Sequence, residues 1–128
     1  MAFLLDTDIA IHLRDGDPDI AAKVETLDDA VMISIITRVE LEGGVYRDEV
    51  NRQVRRARLD ALLAAVSVLA FDEASADAYA AIVAHAGYSR RKILDRMIAA
   101  QALVHHASLV TRNAGDYADI PGLPLVAW

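Results

Sequence analysis

No cysteine occurs in the 128-residue chain. That absence excludes disulfide bonds and thiolate metal sites, and it suits a reducing compartment. Also missing is any apolar run of the roughly 20 residues that a membrane-spanning helix needs. Near the start, Asp6 and Asp8 interrupt the apolar stretch, so no signal-peptide core forms there. The chain shows no repeat, no low-complexity tract and no linker rich in Pro, Gly or Ser. A Gly-x-Ser-x-Gly elbow, a P-loop and a dinucleotide fingerprint are all lacking. The expectation is one cytoplasmic domain over residues 1–128, with no membrane association.

What is present is a folded composition: 55% hydrophobic residues, 25% charged and a net charge of −6. Negative net charge disfavours phosphate backbones unless basic residues gather locally. Short apolar runs, "AFLL", "VMIS", "VSVLAF" and "SLVT", read as buried strands. Between them lie helix-like stretches at 8–14, 37–47, 48–65, 73–85 and 93–107. In the last, Leu94, Met97, Ile98 and Ala102 make one apolar face. Thr37 and Glu40 match the capping-box spacing that opens a helix.

Strands alternating with helices imply an α/β fold. The expected core is a mostly parallel sheet of about four to five strands, with helices on both faces. Ligands of such sheets collect beyond the carboxyl ends of the strands. Asp6 directly follows the first strand, Glu40 comes about a turn after the second, and Asp116 follows the fourth by a short loop. Asp95 opens the helix before the fourth strand, and spacing alone does not say at which edge it starts. Converging carboxylates repel one another and lose hydration, and a hard divalent cation such as Mg²⁺ or Mn²⁺ would relieve both effects. Taken singly, each acid also has a plainer reading as a helix cap or a solvated group. Asp8, ahead of Ile9–Leu13, is assigned the cap and Asp6 the metal.

The segments "FLLDTDIAIHL", "SIITRVELEGG", "LDRMIAAQAL" and "LVTRNAGDYADIPGLPLV" together resemble the successive motifs of PIN-domain ribonucleases, nearest to the toxins of VapC-type toxin–antitoxin pairs. The resemblance runs from residue 3 to about 126. It implies a Mg²⁺- or Mn²⁺-dependent endoribonuclease that leaves a 5′-phosphate and a 3′-hydroxyl. Asp6, Glu40 and Asp95 would be its metal-binding acids, with Asp116 completing the site through water. Thr7 would orient Asp6, while Thr37, Thr111 and Asn113 would be supporting polar residues. A cognate antitoxin, a homodimer and a structured RNA such as transfer RNA are the partners it implies. The segment "GYSRRKIL" is more basic than the small, often Gly- and Pro-containing stretch common before the third acid.

Arg38, Arg90, Arg91 and Lys92 are candidate RNA-backbone contacts, as is the basic run at 47–58; the plainer reading of each is a solvated helix face. No basic patch is interleaved with stacking aromatics. His105 and His106 are adjacent and diverge, and His12 reads first as a helix residue, although it lies within reach of a phosphate near Asp6. Tyr46, Tyr79 and Tyr88 read as packing or interface residues. Two other functions compete. The Asp6-x-Asp8 pair also looks like the nucleophile and acid of haloacid-dehalogenase-type phosphatases, a family that requires a lysine, here only Lys23 or Lys92. The remaining reading is a PIN-like module that binds without catalysing.

Overall fold

The computed structural model describes residues 2–128. Strand β1 (Phe3–Leu5) leads into α1 (Thr7–Arg14) and α2 (Pro18–Glu25). Strand β2 (Val31–Ser34) is followed by α3 (Ile35–Arg47) and α4 (Arg52–Ala65), then β3 (Ser67–Leu69) and α5 (Glu73–Ala86). A 3₁₀ turn, Arg90–Lys92, runs into α6 (Ile93–Val104) and β4 (Ser108–Thr111). A second 3₁₀ turn, Ala114–Tyr117, precedes β5 (Leu125–Ala127). The strands form one sheet in the order β3-β2-β1-β4-β5, and every adjacent pair is parallel.

Period-two alternation divides the core. Leu4, Met32 and Leu109 face α5 and α6, where Ile82, Ile98, Ala99 and Ala102 cover them. Their register neighbours Leu5, Ile33 and Val110 face the other layer, against Ile9 and Ala10 of α1, Ile20 of α2, Leu41 and Val45 of α3 and Leu59 and Leu62 of α4. Because both faces are covered, the central strands read as unbroken apolar runs.

Several local expectations are corrected. The cap of α1 is Asp6, whose side chain accepts the Ile9 N–H, and Asp8 sits in the first turn instead. Asp6 has the extended backbone that a cap requires, whereas Asp8 is already helical. The Thr37–Glu40 capping box does not form: Ser34 caps α3 by accepting the Ile36 N–H, and Thr37 lies fully buried inside the helix. The expected helix at 48–65 starts only at Arg52, because Asp48 accepts both the Asn51 N–H and the Asn51 side-chain amide and so closes a turn. Helix α2 went unexpected, although Asp17 as cap and Pro18 at the first position are its signals. Strand β5 is three residues paired beside β4. Helix α6 stops before His106, whose φ of 51° turns the chain toward β4.

Candidate active site

All five strands are parallel, so their carboxyl ends share one edge, and Asp6, Glu40 and Asp116 follow β1, β2 and β4 onto it. Helix α6 precedes β4 and returns antiparallel to it, which puts its first turn, with Asp95, at that same edge. That topological fact answers the question the spacing left open. Burial then grades the four acids. Asp6 is only 4% exposed, Asp95 is half-buried, and Glu40 and Asp116 are exposed.

Each carboxylate has its own support. Asp6 is fixed by its backbone N–H donating to Val110 O at 3.0 Å and by its Oδ1 accepting the Ile9 N–H at 3.0 Å. Burial raises its pKa above the ordinary value, and the charges of Asp8 and Asp95 push the same way; the Thr111 hydroxyl and the Ile9 N–H offset part of this. Thr111 is itself buried and held, its hydroxyl accepting the Asn113 N–H at 2.9 Å. Asp95 is raised by burial and by the charge of Asp116, with a hydrogen bond from Tyr117 opposing. Tyr117, buried among three acids, has its hydroxyl held protonated by burial and then by Asp6, Asp95 and Asp116. Glu40 accepts the Thr7 hydroxyl at 2.8 Å, and Thr7 lies 3.0 Å from the Thr37 hydroxyl.

The expected pairing of Thr7 with Asp6 is therefore replaced: Thr7 serves Glu40, and Thr111 serves Asp6. Asn113 contributes its backbone rather than its side chain. Tyr117 was not singled out in the sequence, and the signal for it was its place directly after Asp116 in "GDY". Among the described residues, no three His, Asp or Glu side chains already stand together as a ligand set. The donors are nonetheless all oxygen, and burial raises two of them, Asp6 and Asp95, which suits a hard ion that keeps several of its waters. Asp95 and Asp116 line a cleft of about 220 Å³ together with Arg91 and Lys92.

The basic candidates separate. Lys92 turns to Asp119 at 3.3 Å, and Arg38 lies 3.7 Å from Glu42. Arg90 and Arg91 stay exposed on the 3₁₀ turn. Within the 52–58 run, Arg55 donates to Gly44 O, Arg56 pairs with Glu42 and Asp60, and Arg58 donates to Asp15 O. Arg52 donates to Tyr46 O and stacks 5.4 Å from that ring. These four guanidinium groups tie the chain to itself. His12 sits 3.2 Å from Arg112, with Asp8 and Asp17 beside it.

With this edge defined, the family can be stated. The PIN domain profile matches residues 3–123, and the chain belongs to that family. It is VapC-like over its whole length. The ribonuclease VapC2 of Rickettsia felis is 27% identical over 135 aligned positions, covering all of this chain and 98% of that protein. A chain of the VapBC2 complex from the same organism, bound to a promoter DNA fragment, superposes with a TM-score of 0.88 at 26% identity, over 100% of this chain and 99% of that one. The FitAcB structure from Neisseria gonorrhoeae matches with a TM-score of 0.82 at 28% identity, over 96% and 95% of the two chains. The phosphatase reading falls with this assignment. Neither lysine is free for it, since Lys23 pairs with Asp19 and Lys92 with Asp119.

Proposed function

We propose that the chain is the toxin of a VapC-type pair, a divalent-metal-dependent endoribonuclease whose site is Asp6, Glu40, Asp95 and Asp116. The observation that carries this is the set of carboxylates at one sheet edge, two of them raised by burial and by neighbouring acids. A non-catalytic module gains nothing from holding acids whose burial outweighs the support they receive. Mg²⁺ or Mn²⁺ matches the all-oxygen donors; when bound, such an ion supplies water activation and charge neutralisation at a phosphodiester.

The chain's own residues do the rest. Asp6 and Asp95 provide the buried anionic floor. Thr111 and the α1 N-terminus fix the Asp6 rotamer, and Thr7 fixes Glu40. Asp116, exposed at the rim, is placed to act through water. Exposed Arg91 faces the same cleft as Asp95 and Asp116 and offers a cation to an RNA phosphate; Arg90 and Arg38 extend that positive rim. The attacking water forms the new P–O bond, the P–O3′ bond breaks, and the leaving oxygen takes a proton, giving 5′-phosphate and 3′-hydroxyl ends. A structured RNA such as transfer RNA is the substrate class.

The relatives crystallised as VapBC complexes support an antitoxin partner for this chain. An inserted Arg or Lys would be the complement of the acidic edge. Val39, Tyr46, Val50 and Val54 of the α3–α4 hairpin are exposed and offer apolar surface for that partner or for a homodimer. Among the described residues no helix is long and apolar enough to cross a membrane.

The test is cleavage of purified total RNA by the wild-type chain and Asp6→Asn, each with Mg²⁺, Mn²⁺ or EDTA. Metal-dependent fragments with 5′-phosphates from the wild type alone are expected. Equal behaviour of the two chains in all three conditions would overturn the assignment.

A further inference from the structure

Arg96 is 2% exposed, one residue after Asp95. Its Nη1 donates to Gly87 O at 2.6 Å, where the chain leaves α5. Its Nη2 donates to Asp119 Oδ2 at 3.0 Å, three residues beyond Asp116. Lys92, just before α6, reaches the same Asp119 oxygen at 3.3 Å. One carboxylate thus gathers two cations from the start of α6 and fastens them to the loop that carries Asp116.

The bridge is incompletely satisfied. Arg96 Nε and Asp119 Oδ1 are both buried without a hydrogen-bond partner among the described residues. Asp119 is half-exposed, and a donor and an acceptor left unmatched take from what such a bridge contributes to stability. What it supplies here is a fixed separation. Asp95 on α6 and Asp116 on the following turn carry charges that oppose each other. The Arg96–Asp119 bridge ties α6 to the chain just after that turn, as does Tyr117, whose hydroxyl bonds Asp95.

Resting on the nuclease reading above, we infer that Arg96 and Asp119 are positioning residues: their bridge sets where Asp95 and Asp116 stand relative to one another in the cleft they share. Neither residue touches the reacting atoms. Lys92 is accordingly part of this clamp and not an RNA contact, which leaves Arg91 as the cleft's free cation among the described residues.

The experiment measures Mn²⁺ affinity, from the free-ion electron paramagnetic resonance signal, and apparent kcat and KM on a transfer-RNA pool. The chains compared are wild type, Arg96→Met, Arg96→Lys, Asp119→Asn and Asp6→Asn. Loss of an outer-shell partner usually weakens metal affinity or activity by roughly 10- to 100-fold, and Arg96→Met is expected in that range for both Mn²⁺ affinity and kcat. Its KM for RNA should stay within about twofold of wild type, because the phosphate-facing Arg91 is untouched. Arg96→Lys should recover part of the loss. Asp119→Asn, at a half-exposed position where the fold tolerates change, should show the same pattern more weakly.

A purely structural role predicts lowered melting temperature with wild-type Mn²⁺ affinity and kcat in the folded fraction. That result in both Arg96→Met and Asp119→Asn overturns the clamp alone. A wild-type chain that neither binds Mn²⁺ more tightly than Asp6→Asn nor cleaves RNA overturns the nuclease reading, and the clamp with it.

Discussion

Acids in this molecule meet two opposite fates. Along the α3–α4 hairpin, Glu42 is held below its ordinary pKa by hydrogen bonds from Arg56, and Asp48 by its bonds to Asn51. At the start of α5, Asp72 is lowered by capping Ser75. At the strand edge, Asp6 and Asp95 go the other way, raised by burial and by other acids. Asp119 marks the border. Desolvation raises it, but Arg96 and Lys92 prevail and hold it low. In Glu42, Asp48, Asp72 and Asp119 the chain's own donors prevail, whereas in Asp6 and Asp95 burial and neighbouring acids do. That contrast separates a functional cluster from a structural one more surely than counting acids does.

The largest expected effect comes from breaking the unpaired side. Asp6→Asn keeps the cap on α1, since Asn caps as well as Asp, but removes the buried charge. RNA cleavage should fall by more than the roughly 100-fold upper bound for loss of an outer-shell partner, measured on total RNA with Mg²⁺. The variant should also melt at a higher temperature than the metal-free wild type, because the desolvated charge is gone.

Next is pH. Asp6 and Asp95 have folded pKa values above the ordinary 3.8, so between those values the folded state binds more protons than the unfolded one. Their contribution to apo stability therefore declines as pH rises from about the ordinary carboxylate value through the raised folded values. Metal binding runs oppositely and tightens over that window as the two ligands lose their protons. Melting curves with and without Mn²⁺ across this range should diverge as pH increases. For Glu42, Asp48 and Asp72 the sign reverses: what they add is present above the ordinary value and is lost as pH falls through their lowered ones.

Arg91→Ala should raise the apparent KM for RNA several-fold and leave kcat nearly unchanged. It should also reduce the slope of log affinity against log salt by roughly 1 if one phosphate contact is lost. On the paired side, Asp72→Ala should destabilise the fold by about 1 kcal/mol through the lost α5 cap, with cleavage by the folded chain intact. Smallest is Asp8→Asn, worth about 0.3 kcal/mol through the helix dipole, since Asp8 is half-exposed and caps nothing. Denaturant melts of both variants check these values.

The strands were legible because burial on both faces turns them into continuous apolar runs. Three acids could be assigned to the strand-end edge for the same reason. What stayed hidden depended on a single backbone dihedral or on contact across the fold. Asp6 and Asp8 carry the same side chain two residues apart, and only the extended backbone at Asp6 makes it the cap. That one carboxylate both caps a helix and sits deepest in the site could not be read from a pattern that assigns each residue one task. Thr7 was expected to serve Asp6, and Thr111 takes that place because residue 111 meets residue 6 only through the β1–β4 pairing. Arg96 was not singled out in the sequence, and its partners Asp119 and Gly87 lie 23 and 9 residues away.

The most direct measurement is the melting temperature of the wild type and Asp6→Asn at neutral pH, each with and without Mn²⁺. The wild type should melt lower than the variant without metal and rise on adding Mn²⁺, while the variant hardly responds. A variant that melts lower than the metal-free wild type, together with a wild type indifferent to Mn²⁺, would contradict the reading of this edge as a metal-dependent site.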